Sequence, residues 1–129
     1  MPSPEVEEFA QQLIEYVRDR TIRSCDAVLK PQAQHVKAQA WRKAARHGDL
    51  NEIAQVLIPD IVDYTIFYLL HAIDNEFNIS FTASNGKLVN LQEDGLGELA
   101  GWYIGGEDGW LEMYSKERVA DYRSDGDGE

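Results

Sequence analysis

The chain has 129 residues, of which 43% are hydrophobic, and carries 23 Asp/Glu against 12 Lys/Arg for a formal net charge of −11. That length suits one domain with a core that needs neither disulfide nor metal, and the single cysteine, Cys25, excludes an internal disulfide and fits a reducing compartment. The negative excess disfavours nucleic acid and anionic membrane surfaces as partners and favours basic proteins.

The charge is unevenly placed. Residues 1–17 hold four Glu and no base, residues 18–48 hold eight Lys/Arg against Asp19 and Asp26, and residues 49–129 hold seventeen Asp/Glu against four Lys/Arg. The start has no basic stretch leading into an apolar one, so the sequence predicts no secretory signal and a cytoplasmic location. No uninterrupted apolar run reaches the ~18 residues of a membrane span.

Ser3 before Pro4 reads as an N-cap followed by proline in the first turn. Val6, Phe9, Ala10, Leu13, Ile14, Tyr16 and Val17 then fall on one arc, which predicts an amphipathic helix. Residues 21–30 read as helical and stop at Pro31, because the residue before a proline is pushed out of the α region. Residues 32–47 are rich in helix formers and end at Gly48. Their apolar side (Ala33, Val36, Ala40, Trp41, Ala44) is thin, so the spacing predicts a peripheral helix.

Asp49 with Glu52 forms a capping-box-like start to a short helix that ends near Leu57, and Pro59 opens the next. Residues 60–77 are apolar over most of the circumference, the pattern of a central, largely buried helix. From residue 78 to 91, alternating segments flank Asn85-Gly86, a hairpin signal. Gly95 to Tyr122 should hold one or two short helices broken at Gly105-Gly106. Gly97, Gly101 and Gly105 would there form one small-residue helix face. The fold expected is therefore α+β: a mainly helical single domain over residues 1–123, with four to six helices and one β-hairpin at about 78–91. Residues 124–129 read as a disordered acidic tail.

Two sets of residues are candidates for function. Segment 93–110 interleaves glycines with Trp102, Tyr103 and Trp110 among Glu98, Glu107 and Asp108. Bulky aromatics among turns and carboxylates suit protein docking. Gly95-Leu96-Gly97-Glu98-Leu99-Ala100 matches a loose dinucleotide fingerprint. Its carboxylates would repel a pyrophosphate, and the preceding strand belongs to a hairpin. The other set is Asp60, Asp63, His71 and Asp74, which share one arc of helix 60–77 and would suit a divalent cation or a general base. The basic stretch 18–46 lacks the aromatics or Gly-rich loop of a nucleic-acid module. No nucleophile elbow or defensible Cys–His pair is present.

The reading favoured is a non-enzymatic acidic module, of inhibitor or immunity type, that binds a basic protein without a cofactor. The alternatives are a small metal-dependent hydrolase or metal-binding protein using the Asp/His strip, and a homo-oligomer subunit built on helix 60–77.

Overall fold

The structure is a computed structural model and describes residues 3–117; the expected tail and the expected domain end at residue 123 lie outside the described residues. Within them the chain is mainly helical with one antiparallel hairpin, as the sequence pattern predicts.

The first helix, α1 (Pro4–Leu13), starts where Ser3 Oγ accepts the Val6 amide at 3.3 Å. It does not end before residue 21. A π-helical segment, Ile14–Asp19, joins it directly to α2 (Arg20–Leu29). A π turn inserts about one extra residue and rephases the faces on either side of it. Val17, Thr21 and Val28 are buried beyond that point, while Val6, Phe9 and Ile14 stay exposed. The apolar arc read from residues 6–17 is therefore split, and Phe9 touches the body through the edge of Phe77, with ring centroids 5.5 Å apart.

Helix α3 (Val36–His47) begins four residues later than the pattern suggests, because His35 is its N-cap: its Nδ1 accepts the Lys37 amide at 3.0 Å. It is also less peripheral than expected. Ala38 and Trp41 are both buried against Val28 of α2 and, on the next helix, Val56, Leu57 and Tyr64.

That next helix, α4 (Leu50–Asn75), is a second correction. Asp49 Oδ1 accepts the Glu52 amide at 3.0 Å as expected, but no break follows, and Pro59 sits inside one 26-residue helix. Both sides of the proline pack on α3, and that tertiary contact outweighs the missing amide donor. The helix is long and apolar enough to cross a membrane by length and composition alone, with a mean hydropathy of 1.5 over 18 residues. It is central, since α2, α3 and a later short helix all pack on it, but it is not largely buried: only Asp60, Ala72 and Ile73 are.

The hairpin pairs β1 (Ser80–Thr82) with β2 (Leu88–Asn90), Phe81 opposite Val89. Only Gly86 of its turn takes a positive φ, at 86°, while Ala83 and Lys87 close a three-residue loop. That is a type I turn followed by a left-handed glycine rather than a two-residue Asn-Gly turn. Four short elements follow: α5 (Leu91–Asp94), α6 (Leu99–Tyr103), a 3₁₀ turn (Gly106–Asp108) and α7 (Trp110–Tyr114). They close a core of Val17, Ala72, Ile73, Phe77 and Leu99, on which Trp110 packs.

Candidate functional site

The acidic aromatic segment is held on α4 by polar bonds. Asp74 accepts the Leu99 and Ala100 amides at 3.0 and 3.1 Å, which caps α6 at its N-terminus. Gln92 donates to the carbonyls of Ile73 and Phe77 at the C-terminal end of α4. Tyr103 donates its hydroxyl to Asp63 at 2.9 Å. Burial and that bond push the Tyr103 phenol well above its usual range. Burial likewise pushes the Asp63 carboxyl up, against the downward pull of the tyrosine hydrogen bond.

On this base the two tryptophans of the segment meet, with centroids 5.8 Å apart and planes tilted by 54°. Trp110 is half-buried against the core and Trp102 is 38% exposed. Gly105 and Gly109 let the chain fold back between them: a Cβ on Gly109 would lie 2.5 Å from the Gly105 nitrogen. The close approach expected of the glycines is found here, between Gly105 and Gly109. It is not on a helix face carrying Gly97, Gly101 and Gly105, since α6 spans only Leu99–Tyr103.

Of the residues singled out for docking, Glu98, Glu107 and Asp108 are exposed. Trp102 is accessible, Trp110 supports it from below, and Tyr103 is engaged with α4. The sequence reading missed the other apolar side chains that this segment exposes: Leu96, Ile104, Met113 and Tyr114. Leu96 is 74% exposed and, among the described residues, the one non-glycine with positive φ, at 56°. A left-handed leucine costs ~1–2 kcal/mol, and this one recovers none of it by burial. Residues 93–117 carry seven carboxylates against Lys116.

The Asp/His strip does not assemble. Its four side chains share one arc of α4, as the wheel predicts, but three other helices claim them: α3 takes Asp60, α6 takes Asp63 and Asp74, and α2 takes His71. Asp60 is fully buried and accepts the Trp41 indole N–H at 2.7 Å. Asp63 meets Tyr103 and Asp74 caps α6. His71 Nδ1 accepts from Arg20 at 3.3 Å. Among the described residues no group of three or more His, Cys, Asp or Glu converges as a metal site. The arc is a set of structural anchors, and its four side chains do not converge on one point.

The basic block is spread over α2 and α3. Arg20 lies beside the rings of Tyr16 and Tyr68, at 5.7 and 5.8 Å. Arg42 donates to the Ala33 carbonyl at 2.7 Å. Arg18 pairs with its neighbour Asp19 on the surface, and Lys43 and Arg46 are exposed. Cys25 is a free thiol whose pKa is raised by burial and by nearby Asp26 and Asp60, which leaves it a poor nucleophile.

No family model, curated protein or solved structure matches the chain.

Proposed function

We propose that this protein is a non-enzymatic binding module of the cytoplasm, of inhibitor or immunity type, that docks a basic protein on the α6–α7 segment. One observation carries the reading. A segment with seven carboxylates and one lysine also exposes Leu96, Trp102, Ile104, Met113 and Tyr114. Leu96 adds to it, because its conformation costs stability while its side chain stays in solvent. The carboxylates would steer a cationic partner, and desolvation of Trp102 over Trp110 would then supply affinity.

The test is affinity capture from the native host with the wild type, Trp102→Ala and a Glu107→Lys/Asp108→Lys double variant side by side. A basic protein should be retained by the wild type and lost by both variants, and its association rate should fall at least tenfold from ~20 to ~500 mM salt. Capture that survives both variants, an acidic partner, or a rate indifferent to salt sinks the reading.

A further inference from the structure

The outer side of α3 borders a groove of about 1040 Å³ against the first turns of α4. Its apolar floor is Val36, Ala40 and Ala44, at i, i+4 and i+8 along α3, together with Val56 of α4, all of them half-buried. The methyl groups at 40 and 44 leave that space open, whereas Trp41 seals the neighbouring side of α3 against Val28. Gly48 shapes one end: a Cβ there would lie 2.8 Å from the Glu52 Cβ, so its absence lets Glu52 fold against the turn. Lys43 and His47 stand exposed at the rim, i and i+4, where both heads can serve one acceptor. Among the described residues neither side chain has a hydrogen bond or an ion pair.

We infer that this groove binds a small organic acid, an apolar one- or two-ring body carrying a single carboxylate. An apolar floor with a few convergent polar groups is how small-ligand sites are built. The body displaces water from Ala40, Ala44 and Val56, and the carboxylate takes the Lys43 ammonium and the His47 imidazole, donors that the fold leaves open. Charge-assisted bonds of that kind are about twice as strong as neutral ones. Glu52 sets the limit on ligand charge. A nucleotide or other polyanion would meet its carboxylate in the groove and the −11 of the chain outside it, so a monoanion fits best. A cation would face Lys43 and His47 instead, which separates this groove from the α6–α7 segment and its basic partner. From Val36 to His47 the floor runs about 16 Å at 1.5 Å per residue, room for a two-ring body.

Amide chemical shifts of the full chain, followed by NMR as 1-naphthoate is added to ~5 mM, test this directly. The shifts should centre on Ala40, Ala44 and Gly48 and saturate with a dissociation constant below ~1 mM. 1-Naphthylmethanol, a similar body without the charge, should bind about tenfold more weakly, and the dianion 1-naphthyl phosphate should also bind more weakly than the acid. Lys43→Glu should weaken 1-naphthoate binding about tenfold with native circular dichroism, since Lys43 is exposed. Lys43→Gln makes the same test if that variant does not fold. Trp102→Ala should bind 1-naphthoate as the wild type does, and Lys43→Glu should leave capture of a basic protein intact, so the two sites fail separately. Shifts that never saturate or that centre on Trp102, an alcohol or a phosphate that binds as tightly as the acid, or folded Lys43 variants that bind like the wild type would overturn the inference.

Discussion

At the scale of single residues, the bond from Tyr103 to Asp63 ties the aromatic segment to α4 and gives stability a definite pH dependence. Burial leads the causes of both raised pKa values. A folded state that holds a proton more tightly than the unfolded chain loses stability as pH rises from the unfolded pKa through the folded one. For Asp63 that loss begins near 3.8 and runs up to its raised folded value; for Tyr103 it begins near 10.0. Urea midpoints should therefore fall as pH rises past 10.0. Tyr103→Phe should flatten that fall while costing about 1 kcal/mol at pH 7. The Trp41–Asp60 bond is the stronger anchor, with Asp60 completely buried. Asp60→Ala should cost about 2–4 kcal/mol in the same assay, through a lost bond, an unmet indole N–H and a cavity. The sequence placed all four residues of the strip on one arc, and that was correct. It could not show their partners, because Trp41, Tyr103, Arg20 and the α6 amides approach from 19 to 51 positions away along the chain.

At the scale of elements, local signals located what local chemistry decides. Ser3, Asp49 and Gly86 mark a helix start, a second helix start and a turn, and each does so through its own side chain or backbone freedom. What local signals missed was continuity. Nothing in residues 14–19 announces a π segment, and Pro59 reads as a boundary when only α2, α3 and α4 are considered apart. Packing of Val56, Leu57 and Tyr64 on the Ala38–Trp41 side of α3 spans the proline and keeps the helix whole. Pro59→Ala should then restore a donor to the Gln55 carbonyl. It should raise stability by about 1–2 kcal/mol, less than the full interior cost of proline because the unfolded chain also gains freedom. Thermal melts would register this as a rise of several degrees; no change would mean that the proline is already fully accommodated.

At the scale of the whole molecule, Lys37 of the basic block acts on Asp63 of the acidic one, yet the charge balance stays strongly negative. The Arg18–Asp19 pair is exposed and joins neighbours, so it contributes little. Self-repulsion at −11 then dominates the electrostatic balance, and screening should stabilise the fold. The urea midpoint should rise as sodium chloride goes from ~10 to ~500 mM, whereas a protein resting on surface ion pairs would show the reverse. The composition announced this sign from the start. The unevenness of the burial was hidden, because a helix wheel shows that α4 is apolar all round without showing which side its neighbours leave bare.

The placement of the indoles gives the molecule its own optical probes. Trp41 is sealed, only 3% exposed, while Trp102 and Trp110 are in contact at the surface. Emission from the sealed ring should serve as an internal reference, and the coupled pair should dominate the near-ultraviolet dichroism. An anionic quencher such as iodide, kept away by the surrounding carboxylates, should dim the pair less than neutral acrylamide does. Occupancy of that corner can thus be followed with no dye, tag or label attached.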